Sequence, residues 1–329
     1  MCCLFGLIDT KGRLSGAEKS RIISILAVAS EARGIDATGY ACNSGQKLII
    51  EKHPLPAHRM KFRIPDDASI IMGHTRMTTQ GSAQKNRNNH PFSGKVSDVR
   101  FALAHNGMLS NDTILRYTYD LPKSGIETDS YVAVQLIEKQ KSLDLDSVKF
   151  MAEQVKGSFN FTILDHDNRL FIVKGNNPLC LYHFKKAGFY LYASTRPILE
   201  EAIGKMGYGG LRHHEIPLSD GEILVMDPHG QMRRARFALK HCAPIFSFWE
   251  PVSEEPTGYR KSLMDYGRTI GIPSDELDWL HEQDFPDDDI EHAIFDTAFR
   301  HLCLECTGYF DLMEDYYYDD HYFENRPWA

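Results

Sequence analysis

No apolar run in this 329-residue sequence approaches the roughly 18–20 residues that a membrane-spanning helix needs, which excludes such a helix. The apolar opening is too short for a signal peptide, lacks a basic lead and runs straight into Asp9, so a cytoplasmic protein is expected. No G-x-G-x-x-G follows a strand and no Walker A sequence occurs, so a nucleotide-binding fold has no support. The seven cysteines are odd in number and irregular in spacing, which argues against a disulfide framework. Cys303 and Cys306 form a single C-x-x-C near His301, without the second pair that a structural zinc site commonly uses. Core cysteines on one helix face are the expectation there, with no metal and no cofactor. No internal repeat is present.

What remains is ordinary globular composition, 42% hydrophobic and 25% charged, with enough length for one large domain or two smaller ones. The net charge of −8 is unevenly spread. Residues 250–329 carry 21 acidic against 5 basic residues, whereas residues 1–249 carry a net +8. An acidic tail speaks against nucleic-acid binding. It folds back on the basic body, meets a basic partner, or stays solvated; the sequence leaves all three open.

The pattern of elements is strand, helix, strands, helices, strands. Residues 3–8 read as a buried strand, and Ser15 with Glu18 as a capping box opening a helix that Gly34 closes. "TGYAC" and "KLIIEK" form a hairpin across Asn-Ser-Gly. "SIIMGHT" and "VRFALAHNG" are strands flanking a long polar stretch, and loops of that length are generally functional or disordered. Helices are expected from Thr128 and over Asp146–Lys156, followed by four strands, the helix "PILEEAIGKM" and two more strands. Clustered strands with segregated helices predict an α+β layered sandwich. Near residue 240 the texture becomes proline-rich and acidic, which sets a boundary between residues 1–240 and 241–329. In the second part, Ser274 is the expected cap of one helix, "DDDIEHAIFDTAFRHLCLEC" reads as another, and an acidic, aromatic end follows.

The chemistry starts at "MCCLFG". A cysteine thiolate is a natural nucleophile toward an amide carbonyl. Methionine is generally trimmed before a small residue, which would leave Cys2 first. Its free α-amine, with an ordinary pKa of about 8, could then take the thiol proton and pass it to a leaving amine. Cys3, one residue along the strand, points away and reads as a buried small residue.

Behind this terminus come "ARGIDATGYA", "GHTRMTTQG", "NNHPF", "LAHNGMLSN" and "ETDSYVA", in that order. Together they resemble the class II glutamine amidotransferases, a branch of the N-terminal-nucleophile hydrolases, over roughly residues 2–235. The resemblance implies a four-layer αββα sandwich of two mostly antiparallel sheets, with 1–240 as the glutaminase domain and 241–329 as an acidic, partly helical extension. It also implies site residues. Cys2 is the nucleophile, and Asn106 with the Gly107 N–H forms the oxyanion hole. Arg76 grips the α-carboxylate of L-glutamine, a task that suits a guanidinium fork. Asp129 pairs with the substrate ammonium, and Thr78 and Thr79 belong to the loop closing over the substrate. Arg33, Gly34 and Asp36 shape the pocket floor. His74, His90 and His105 are expected in hydrogen-bonded structural roles.

The sequence departs from the family at Cys3, where glycine is common, and in the arginine loop. There Met77 replaces an aromatic residue and Gln80 stands where a histidine is frequent. About 90 residues remain beyond 240, too few for the acceptor domains of full amidotransferases. The implied activity is hydrolysis of glutamine to glutamate and ammonia, with any ammonia acceptor on a separate protein. Homo-oligomerisation stays open, as do three other readings: an N-terminal-cysteine amidase for a larger amide, a non-enzymatic regulatory or binding subunit, and a redox or metal protein.

Overall fold

Successive residues of the first strand point to two different neighbours. Along β1 (Cys3–Asp9), Cys3, Phe5 and Leu7 pack toward helices, whereas Leu4 and Ile8 pack toward a second sheet. Both faces are therefore buried, which is why the strand reads as an unbroken apolar run despite its period of two. The structure, a computed structural model, describes residues 2–97, 99–239, 258–283, 285, 287–307 and 309. The fate of Met1, the proline-rich segment near 240–257 and the acidic aromatic end all lie outside the described residues.

After β1 come α1 (Gly16–Ala29), β2 (Ala37–Ser44), β3 (Lys47–His53), β4 (Ile70–Arg76), β5 (Phe92–Val96) and β6 (Val99–Leu109). The chain continues through α2 (Asp112–Thr118), α3 (Tyr131–Gln140), α4 (Leu145–Gln154), β7 (Gly157–Leu164), β8 (Leu170–Lys174), β9 (Cys180–Phe184) and β10 (Phe189–Ala193). Then follow α5 (Arg196–Met206), β11 (His214–Glu215), β12 (Glu222–Met226) and β13 (Met232–Arg236). One sheet has the order β11-β9-β10-β1-β4-β2-β3 and the other β13-β12-β8-β7-β6-β5, and all pairings are antiparallel.

Three apolar layers hold these elements. Ile22 and Leu26 of α1 and Leu199 of α5 cover the first sheet, and Val132 and Leu136 of α3 with Met151 of α4 cover the second. Between the sheets, Leu4, Ile70 and Met72 meet Ala102, Ala104 and Ile172. This is the expected α+β, αββα sandwich.

The capping box opens α1 as read: the Ser15 hydroxyl accepts from the Glu18 N–H and the Glu18 carboxylate accepts from the Ser15 N–H. The helix ends earlier than expected, at Ala29. A 3₁₀ turn over Ser30–Arg33 completes the run, and Gly34 closes that turn rather than the helix. The long polar stretch holds β5, and α2 follows β6; neither was read from the sequence.

The chain divides into two compact units, Met1–Cys242 and Ala243–Ala329. In the second, α6 (Gly258–Thr269), α7 (Ser274–Glu282), α8 (Asp287–Phe295) and α9 (Thr297–Cys306) enclose their own core, including Leu277, Leu280, Ile290 and Cys303. Two corrections apply there. Pro273, not Ser274, occupies the cap of α7. The long C-terminal helix is two helices, broken at Asp296, whose carboxylate accepts from the Phe299 N–H and opens α9. Among the described residues no helix is long and apolar enough to cross a membrane.

Candidate active site between the two sheets

Strand parity assembles the site. Cys2 is in phase with Leu4, Arg76 with Ile70 and Met72, and Asn106 with Ala102 and Ala104, residues that line the space between the sheets. The register Cys3↔Thr75 puts the start of β1 beside the end of β4. One buried hydroxyl ties the second sheet to this end. Ser194 Oγ accepts from the Leu4 N–H at 2.8 Å and from Asn106 Nδ2 at 3.3 Å. Strands β1 and β6 thus share a single polar atom.

Cys2 is half-buried, and its Sγ lies 3.5 Å from the Met77 carbonyl. Burial pushes its thiol above the ordinary value, while the Met77 contact and the positive charges of Arg76 and Arg33 pull it down. The Arg33 Nε–H donates to the Cys2 carbonyl at 3.0 Å. Gly34 lies against the backbone of the next loop, where a Cβ would sit 2.4 Å from the Arg76 carbonyl carbon. The Asp36 N–H donates to the Arg76 carbonyl at 3.0 Å, and its carboxylate accepts from the Thr78 N–H at 2.7 Å. Asp36 therefore holds the segment 76–78, Gly34 lets it approach closely, and Arg33 fixes the Cys2 backbone beside it.

Arg76 is 3% exposed. Its Nη1 donates to Asn89 Oδ1 at 2.7 Å and its Nη2 to the carbonyls of Gln80 and Gly81 at 2.5 and 3.0 Å. No ion pair engages it among the described residues, although Cys2, Asp36 and Asp129 all act on it through space. Burial lowers its pKa from the ordinary value. A buried guanidinium held only by neutral acceptors keeps donors and charge for an anion.

Asp129 opens the segment leading into α3. Its Oδ2 accepts from the Leu109 N–H at 2.6 Å and its Oδ1 from Ser130 Oγ at 3.1 Å. Its own N–H donates to Gln80 Oε1 at 2.7 Å, so the unusual Gln80 joins the arginine loop to the aspartate. Glu127 makes a second join, taking Lys85 and Asn88 of the same loop, while its N–H donates to Asn88 Oδ1 at 3.0 Å. The two charged groups are thereby carried on one cross-linked assembly.

Asn106 is fully buried and its Oδ1 has no hydrogen-bond partner among the described residues. Its carbonyl accepts from Asn177 Nδ2 at 2.9 Å, and Asn160 Nδ2 in turn donates to the Asn177 carbonyl at 2.7 Å. Gly107 has φ +141°, and a Cβ there would lie 2.0 Å from the Ser158 carbonyl oxygen, so only glycine fits. The buried hydroxyls of Thr78 and Thr128 also lack partners among the described residues, and Thr79 is exposed. Polar atoms without partners are rare in folded cores, and here several fall on the motif residues around Cys2.

The motif histidines are sealed behind this arrangement. His74 Nε2 donates to the His105 carbonyl at 2.9 Å, and His105 Nδ1 meets Ser130 Oγ at 2.8 Å. His90 departs from expectation. Neither of its ring nitrogens has a hydrogen-bond partner among the described residues, and it packs by ring contact with His74 and Phe92. Burial lowers all three pKa values, that of His74 to about 3. Burial thus disfavours the charged form of all three rings.

The structure thus brings Cys2, Arg76, Thr78, Asn106, Gly107 and Asp129 to one end of the sandwich, with Thr79 on its rim. Ser194, Asn177 and Asn160 were missed by sequence reasoning; the only signal for Ser194 was a polar residue ending the strand "FYLYAS". In the other unit Cys303 is buried in the helical core, and the Cys306 side chain lies outside the described residues. Among the described residues no group of three or more His, Cys, Asp or Glu could hold a metal ion.

Residues 74–201 match the family described as the glutamine amidotransferase domain. A glutamine–fructose-6-phosphate aminotransferase (isomerizing) of Oceanobacillus iheyensis is 29% identical over 291 residues, covering 82% of this chain and 46% of that protein. One from Listeria innocua is 30% identical over 192 residues, covering 55% of this chain and 30% of that protein. This chain therefore spans less than half the length of these relatives. In fold it is similar to the glutamine phosphoribosylpyrophosphate amidotransferase of B. subtilis, with TM-score 0.59 and 21% identity over 83% of this chain and 59% of that one. A structure described as the allosteric regulatory enzyme of purine biosynthesis gives TM-score 0.57 and 22% identity, covering 83% and 58%.

Proposed function

We propose that this chain, which carries a class II glutamine amidotransferase domain, hydrolyses the side-chain amide of L-glutamine through Cys2 and releases ammonia for an acceptor on a separate protein. One observation carries the reading: a thiol, a buried guanidinium without an ion pair among the described residues, a buried carboxylate and a buried asparagine amide gather at one end of the inter-sheet space.

The steps follow from that arrangement. With Met1 removed, the Cys2 α-amine takes the thiol proton. Sulfur bonds to the amide carbon, and the oxyanion is met by Asn106 and the Gly107 N–H. The amine returns the proton to the leaving nitrogen, the C–N bond breaks and ammonia departs. Water then adds to the glutamyl thioester, the C–S bond breaks, and glutamate and the free thiol are regenerated. Arg76 and Asp129 hold the α-carboxylate and α-ammonium, with Thr78 and Thr79 over the substrate, so that the amide meets the sulfur in a fixed pose. The catalytic unit is residues 1–240, and the acidic helical remainder is a separate element.

A diazoketone analogue of glutamine tests the assignment by intact mass. The expected result is loss of Met1 and a single adduct on Cys2, blocked by excess L-glutamine and absent in Cys2→Ala. An unreactive thiol with Met1 retained would instead favour a binding subunit that keeps the fold.

A further inference from the structure

Behind Arg76 lies a second cation that the proposed mechanism does not use. Lys52, half-buried on β3, donates from Nζ to the Asn89 carbonyl at 2.5 Å and sits 5.1 Å from the centre of the Phe92 ring. The side chain of the same Asn89 accepts from Arg76 Nη1 at 2.7 Å. Asn89 is fully buried, and its Nδ2 is anchored on the Ala83 carbonyl at 2.8 Å and Asn86 Oδ1 at 3.3 Å. One neutral residue thus connects two positive charges, and neither forms an ion pair among the described residues. Removing cations from water without an anion is costly, so this end of the fold is short of one negative charge.

We infer that Lys52, acting through Asn89, is a positioning and specificity residue of the carboxylate subsite. It holds the backbone of the residue whose side-chain amide aims Arg76 and adds a second positive charge behind it, selecting amide substrates that carry a carboxylate at the far end. This rests on the glutaminase reading above. The groups facing Lys52 are consistent with it. Glu51 on its own strand is turned to Tyr40 and His53, and the charged neighbour across the loop is Arg76. His74 and His90 feel the Lys52 charge but are held neutral by burial. Burial, reinforced by Arg76, lowers the Lys52 pKa to about 8, so its charge is lost as pH rises through that value.

The test uses the full chain, with L-glutamine as substrate and 4-aminobutanamide, which keeps the amine and lacks the carboxylate, as competitive inhibitor. Lys52→Met is expected to raise KM for glutamine about tenfold, with kcat and the inhibitor's Ki within about twofold of wild type. Lys52→Arg is expected to restore KM. An unchanged KM, or equal changes in KM and Ki, overturns the inference, since a merely structural role would move both. Should Lys52→Met fail to fold, wild type and Lys52→Arg are compared from pH 7 to 9. A steeper rise of KM in wild type supports the inference and parallel profiles overturn it. If wild type releases no ammonia from glutamine at all, the glutaminase reading itself fails and takes this inference with it.

Discussion

Ser194 is the residue on which the two halves of the proposed catalytic machinery meet. It serves the Leu4 N–H in one sheet and the Asn106 amide in the other. Ser194→Ala leaves the buried Leu4 N–H without a partner, at a cost of about 1–3 kcal/mol, and frees Asn106 to rotate. The expected outcome is a lower melting temperature and a kcat reduced at least about tenfold, with KM for glutamine nearly unchanged, because the loss falls on the transition state. Steady-state ammonia release checks it; a KM effect alone would assign Ser194 to substrate binding. Gly107→Ala is expected to be far worse, because its Cβ would enter the Ser158 carbonyl. At this scale the sequence was informative where a residue acts through its own chemistry. Cys2, Arg76, Asn106 and Asp129 stand in recognisable motifs. Ser194 and Lys52 act through contacts made far along the chain, and a serine ending a strand announces nothing of that; Asn89 stands in "NNHPF", but the motif does not reveal that it joins Arg76 to Lys52.

Strands place the site, and β1, β4 and β6 were readable as strands from their short apolar runs. The ends of elements were less so. Gly34 resembled a helix cap because the sequence cannot show that α1 gives way to a 3₁₀ turn at Ser30. Asp296 looked like another polar position on a long helix, yet it opens α9. Strand β5 was hidden in a polar stretch because its glycine, lysine and serine mask the burial of Phe92 and Val96. Between strands β4 and β6 the buried histidines make a testable element. Their folded pKa values are depressed, so between about pH 3 and 6.5 the unfolded chain binds more protons than the folded one. Stability is therefore full above about pH 6.5 and falls as pH is lowered through that window. The urea midpoint is expected to drop steadily from pH 6.5 to 4.5. His90→Phe, which removes two unpartnered nitrogens from an aromatic neighbourhood, is expected to flatten that slope by about one proton; an unchanged slope would show that His90 is not buried neutral.

At the scale of the whole molecule, three apolar layers and two sheets belong to Met1–Cys242, and Ala243–Ala329 has a core of its own. The shift to acidic, proline-rich texture near residue 240 is a property of composition and needs no knowledge of contacts to be read. If catalysis resides in the first unit, a chain ending at Cys242 is expected to keep glutamine hydrolysis within about threefold, with the folding signal of the helical unit lost. The central claim is that an N-terminal thiol turns glutamine into glutamate and ammonia. The most direct measurement is ammonia release from L-glutamine by wild type and Cys2→Ala, each confirmed by mass to lack Met1. The account predicts ammonia and glutamate in equal amounts from wild type and none from the variant. Equal release from both, or none from a wild type whose Cys2 is the first residue, would contradict it.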